Sequence, residues 1–295
     1  MKPVRLLDDL CASGWRAGLV AVAMLCGIST PAGAQGGGRS IQLEALLTKL
    51  AGRAAIYEST ALRFACEEQV DLVEYNAKET AKTQRVEVHD YLLAYSGEEG
   101  LQPYRALLSR DTRSVSRKEV RPDYAVPEPY GWNLLFTKER QARFQFELLE
   151  AELIEPSITW VIAFHPVLPY TDGNTIEQWG GRVWVDQDTL DVVQVEAEPA
   201  NQAETMEARL AEYRQAFSFM GLKGKPRPRA RHIQVEFGIE REGLRLPSRS
   251  LATTRLLAGD GRDRLASSVV QRYRDYVFYG VEAQEQFDKL RAPTP

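Results

Sequence analysis

A chain of 295 residues, 44% hydrophobic and 26% charged, has room for one large domain or two small ones and enough apolar side chains for an ordinary core. Its formal net charge of −4 argues against nucleic-acid recognition through a basic surface. The three cysteines and three histidines show no close spacing, which disfavours a zinc site or a disulfide framework.

The N-terminus departs from this average. Lys2, Arg5 and Arg16 precede or border an apolar run from Ala17 to Ile28, and Pro31 is followed by Ala32-Gly33-Ala34, a small-x-small cleavage pattern. The run is far shorter than the ~20 residues a spanning helix needs. Residues 1–34 therefore read as a cleavable secretory signal, cut near Ala34–Gln35. The mature chain is expected in the periplasm or outside the cell, with no transmembrane segment. An N-terminal core helix is the competing reading, disfavoured by the glycines of Gln35-Gly36-Gly37-Gly38. Lipidation at Cys26 stays open as a minor alternative, because Ala23-Met24-Leu25 lacks the small residues usual before a lipidated cysteine. After the cut only Cys66 remains, in an apolar Phe64-Ala65-Cys66 setting that suits a buried, inert thiol.

Residues 35–40 read as a flexible start. Leu43, Leu46, Leu47, Leu50 and Ala54 then recur at helical spacing. From about Cys66 the period becomes that of a strand, through Val70, Leu72 and Tyr75. Strand-like segments follow: Val86 to Tyr95, a turn at Ser96–Gly100, and Leu101 to Leu108 pairing back. Trp132 to Arg140 suggests a short helix. Ala142 to Leu148 and Ile158 to Phe164 alternate again. Trp179 to Glu196 reads as a hairpin turning near Gln187-Asp188, since aspartates bond nearby backbone amides. Met206, Leu210, Tyr213, Phe217 and Met220 form one stripe of a helix over about 202–222. The strands Ile233 to Ile239, Leu244 to Leu257 (turning at Gly259–Gly261) and Val269 to Tyr279 close the chain. Successive strands without helical crossovers predict an α+β fold: a large antiparallel sheet with an N-terminal helix and one or two helices packed on or inside it. The expected organisation is one domain over 41–288, with a helical insertion at 202–222 and a disordered tail at 289–295.

No constellation for chemistry stands out. Glu67 and Glu68 are adjacent and point to opposite faces of a strand, so they form no acid–base pair. Asp186, Asp188 and Asp191 lack the glycine and terminal glutamate of a calcium loop. There is no Gly-x-Ser-x-Gly elbow and no phosphate-binding lysine after Gly36–Gly38. No catalytic residue, metal site or cofactor is expected, and the chain does not read as an enzyme. The strongest charge feature is the connector Lys223, Lys225, Arg227, Arg229 and Arg231. It is either a solvated loop or a contact for anionic lipid headgroups.

Three motifs carry a resemblance. A helix leads into a Glu-bearing strand with Phe64, Glu67 and Glu68. The segment Gly181-Arg182-Val183-Trp184-Val185-Asp186-Gln187-Asp188-Thr189 forms a strand and turn, and Gly243 to Ser248 starts a later strand. With the Tyr-rich segment Tyr273 to Tyr279, this order resembles the exported LolA/LolB-like lipoprotein-carrier fold superfamily. The resemblance implies a strongly curved half-barrel around an apolar cavity. It also implies a non-catalytic activity: binding a lipid, an acyl chain or a lipid-modified partner at the cell envelope. The 202–222 helix and the basic connector depart from the compact carrier. Several strands are apolar on both faces, which means covered faces or a cavity lining. Strand parity offers Trp160, Ile162, Phe164, Trp184, Val193 and Phe237 as cavity candidates. The alternative is a periplasmic structural or interaction module with a filled core, a protein partner and no ligand.

Overall fold

The computed structural model describes residues 35–60, 64–96, 100–120, 126–167, 175–202, 229–257 and 263–278, with the isolated positions 207, 208 and 211. The expected signal at 1–34, Cys26, most of the 202–222 helix, Lys223, Lys225, Arg227 and the tail at 289–295 lie outside the described residues.

Helix α1 spans Gln35–Thr60. The start expected to be flexible is thus assigned to its first turns. Glycine costs ~0.5–1 kcal/mol per residue in a helix, and the helix is held further on, where Leu46, Leu50, Ala54 and Tyr57 are buried along one stripe. Among the described residues fourteen strands follow: β1 Phe64–Tyr75, β2 Ala81–Ser96, β3 Gly100–Arg110, β4 Arg113–Glu119, β5 Phe144–Leu148, β6 Glu152–Ile154, β7 Ser157–Pro166, β8 Trp179–Asp186, β9 Val192–Pro199, β10 Arg229–Glu236, β11 Ile239–Arg241, β12 Leu244–Leu246, β13 Arg249–Leu257 and β14 Asp263–Phe278. Between β4 and β5 a 3-10 segment, Pro129–Leu134, leads to the short helix α2, Lys138–Gln141. The expected Trp132–Arg140 helix is thus split in two. β4 is not marked by the sequence pattern, and the expected strand from Leu244 to Leu257 is divided into β12 and β13, with β12 pairing to β11.

Twelve strands form one antiparallel sheet in the order β4-β3-β2-β1-β14-β13-β10-β9-β8-β7-β5, with β6 also paired to β7. Among the described residues β4 and β5 are its two ends, so the sheet is open. One core cluster unites Val70 of β1 and Phe144 of β5, seven places apart in the sheet, with Leu46, Leu50 and Ala54 of α1. Seven strand spacings are roughly 34 Å if laid flat, and a helix is only ~10 Å across. A sheet that curves around the helix, as a half-barrel does, brings both ends of this cluster toward it. The inward face is the one that carries this cluster.

Candidate functional site

The apolar part of the inward face is built from alternation. In β7 the even-numbered residues point inward, and Ile162 and Phe164 are 0% and 2% exposed. The ladder sets Ile162 opposite Val183 and Phe164 opposite Gly181, and Val183 in turn faces Val195. Val195 faces Val235 of β10, which completes the row. Phe237, just beyond β10, joins the same cluster, and Trp160 packs half-buried at its border. Three of the six parity-chosen residues are therefore brought together and a fourth adjoins them.

The other two are placed differently. Trp184 sits between the inward residues Val183 and Val185 and so points to the opposite face. There its indole Nε1 donates to Glu152 at 2.9 Å and the Arg182 guanidinium lies 5.2 Å over its ring. Trp184 pairs with Gln194 but Val185 pairs with Val192. Val193 is the extra residue of a bulge, which resets the parity of β9.

The interior is occupied by the chain's own helical layer. Leu46, Leu50, Trp132, Leu135 and Phe136 pack on this row at 0–7% exposure. The layer is tied to the sheet at one end. Asp191, after the β8–β9 turn, accepts from Arg53 Nε at 2.6 Å and Tyr57 OH at 2.7 Å, both on α1. Tyr57 OH also accepts the Arg245 amide of β12 at 2.8 Å. Asp186 braces the turn by accepting the Asp188 and Thr189 amides. The aspartates of this loop thus hold a turn and a helix. Gln141 of α2 donates to the Leu47 carbonyl at 2.8 Å.

The other half of the inward face is polar. Glu68, completely buried, receives Arg105 as a fork, Nε at 2.5 Å and Nη2 at 2.9 Å, with Gln271 at 2.9 Å and Tyr273 OH at 3.1 Å. Arg105 reaches Glu128 at 3.3 Å, and Tyr91 OH donates to Glu128 at 2.6 Å. His89 places Nδ1 3.4 Å from Glu68 and Nε2 3.5 Å from Glu87. Burial alone would raise the Glu68 carboxyl, but Arg105 and His89 outweigh it and hold the group at about 2. Glu128 goes the other way, raised by burial and by Glu68 against the pull of Arg105. Burial pushes the Cys66 thiol up, as an inert thiol requires. The separation of Glu67 from Glu68 holds: Glu67 pairs with exposed Arg274. That buried Glu68 anchors a network does not follow from its adjacency to Glu67. The available signal was parity, since Glu68 falls between Cys66 and Val70 on the apolar face.

An open groove of about 490 Å³ lies at the β5 edge, lined by Gln145, Glu147, His165, Gly180 and Glu198 among others. Gly180 leaves the room, because a Cβ there would stand 2.9 Å from His165 Nδ1. Of the basic connector, Arg229 and Arg231 belong to β10, and Arg231 lies 5.4 Å over the Trp179 ring. Among the described residues no group of three or more His, Cys, Asp or Glu side chains is placed to hold a metal ion. No described helix is long and apolar enough to cross a membrane.

No family model and no curated protein matches the sequence. Solved structures do. A LolA superfamily protein from Nitrosomonas europaea is 10% identical with a TM-score of 0.37, over 84% of this chain and 97% of that one. A domain from Vibrio parahaemolyticus, named for outer membrane lipoprotein sorting, is 12% identical with a TM-score of 0.40, over 84% and 98%. A DUF1329 family protein from Desulfovibrio piger is 10% identical with a TM-score of 0.36, over 80% and 92%. The open antiparallel sheet stands on its own strand pairing.

Proposed function

We propose that this is an exported, non-catalytic binding protein of the cell envelope that carries a hydrophobic ligand or a lipid-modified partner against the inward face of its sheet. The observation that carries this reading is the continuous apolar row Phe164-Ile162-Val183-Val195-Val235, covered by one thin helical layer that is clasped at Asp191. Such a row offers an alkyl chain the same contacts the helices now make. Each apolar side chain kept from water contributes ~1.5–3 kcal/mol whichever partner covers it. A bound chain can cover the row in place of the layer only where the layer's own apolar side chains, Leu46, Leu50, Trp132, Leu135 and Phe136, are also kept from water. The signal-like N-terminus supports export.

Native mass spectrometry of mildly purified protein, followed by titration with a fluorescent long-chain fatty acid, tests the reading. Co-purified lipid or saturable uptake supports it. A second reading, a periplasmic scaffold with a filled core and a protein partner, is favoured by the full burial of Ile162, Phe164 and Phe237 against the chain's own helices. Protein that is ligand-free and takes up nothing leaves only that second reading.

A further inference from the structure

Glu128 stands where the 3-10 part of the helical layer begins. It directly precedes Pro129–Leu134, whose Tyr130, Trp132 and Leu134 are buried. Its carboxylate ties that start to the sheet. Tyr91 OH of β2 donates to Oε1 at 2.6 Å, and Arg105 Nη2 of β3 donates to Oε2 at 3.3 Å. The same Nη2 donates to Glu68 Oε1 at 2.9 Å, so two carboxylates draw on one nitrogen. They draw on it unequally. Glu68 is sealed from water and holds Arg105 as a fork, with Gln271 and Tyr273 added. Glu128 keeps one longer contact with Arg105, and its side chain is 15% exposed.

Among the described residues, the other titratable groups around the two carboxylates are Cys66 of β1, His89 of β2 behind Glu68, and Tyr273 and Tyr276 of β14. Beyond His89, Glu87 is matched by Arg85 and Arg110. Two like charges that share a site and a counter-charge do not both ionise without cost. The cost falls on the carboxylate with the weaker partners, which is Glu128. Once ionised, Glu128 gains by reaching water, and it sits at the margin from which water is reached. We infer that Glu128 is a proton-controlled peg: protonated, it holds the start of this layer on the sheet, and ionised, it lets Pro129–Leu134 open locally. Burial raises its carboxyl, Arg105 opposes the rise and Glu68 adds to it. A group raised in the fold contributes stability that is complete below its unfolded value, ~4.3 for glutamate. That stability is lost as pH rises through the folded value. The peg is independent of what the inward face binds.

Amide hydrogen exchange of Tyr130–Phe136, corrected for the intrinsic rate at each pH, reads this opening. In wild type, opening is expected to be about threefold or more greater at pH 8 than at pH 5, with no such change for the β7 and β8 amides. Glu128→Gln, neutral at every pH, is expected to show no difference between the two conditions. An equal rise in both proteins, or none in wild type, overturns the peg. Should Glu128→Gln fail to fold, carbon-13 NMR of the wild-type glutamate carboxyls decides. A Glu128 midpoint above those of exposed Glu147 and Glu240 is expected, and a midpoint at or below them overturns the inference.

Discussion

Arg105 of β3 grips Glu68 of β1 across the intervening strand β2, two hydrogen bonds running from one guanidinium to one carboxylate in a fully buried setting. Removing one partner of such a pair leaves the other charge buried and poorly matched, at ~3–5 kcal/mol. Glu68→Gln is therefore expected to lower unfolding stability by about 3 kcal/mol. Glu128→Gln, whose amide oxygen still accepts from Tyr91, is expected to stay within ~1 kcal/mol of wild type. Urea denaturation of both variants checks the contrast, and equal losses would argue against Glu68 as the centre of the network.

The same pair sets an acid limit. Glu68 titrates at about 2 in the fold, against ~4.3 in an unfolded chain. A depressed carboxyl contributes stability that is complete above the unfolded value and is lost as pH falls through the folded one. About 3 kcal/mol should disappear between pH ~4.3 and ~2. Glu128, raised by burial, binds its proton more readily in the fold and offsets part of that loss. Urea midpoints measured from pH 7 to pH 2 should show the decline in wild type and a flatter profile in Glu68→Gln.

The clasp at Asp191 predicts a local effect. Asp191→Asn weakens a charge-assisted contact with Arg53 while keeping an acceptor for Tyr57. The expected cost is ~1–2 kcal/mol. Amide hydrogen exchange should quicken in the second half of α1 and leave β1 and β14 unchanged. Uniform acceleration along the chain would mean that the contact is not a local tie.

Gly181 predicts a severe one. A Cβ at this position would stand 2.0 Å from the Glu196 carbonyl oxygen, a backbone atom in the paired strand. Gly181→Ala must therefore push β8 from β9 and is expected to cost more than ~3 kcal/mol or to prevent folding. Gly52→Ala, with nothing within 4 Å of the added carbon, should be neutral or slightly stabilising because alanine favours helix. Expression level and Tm of the two variants make the comparison.

The order of elements was legible in the sequence wherever a segment alternated or turned sharply. The hairpin at Gln187-Asp188 was one such place, since its aspartates fix the turn locally. The site was legible only in part. Ile162, Phe164 and Phe237 followed from parity, but Trp184 did not, because β8 is apolar on both faces and either residue set would satisfy the pattern. Val193 was misplaced by a bulge that exists only when β8 pairs with β9. β4 was missed because all seven of its residues are exposed, so no apolar alternation marks it.

Local chemistry along the chain therefore determined the strand succession and the main hairpin, since spacing and turn residues act over a few positions. Tertiary structure alone decided which face of β8 looks inward, that α1 fills the curve of the sheet, and that Glu68, Arg105 and Glu128 meet. Those outcomes depend on the register of strands far apart in sequence, and register is an energy of pairing that no single segment contains.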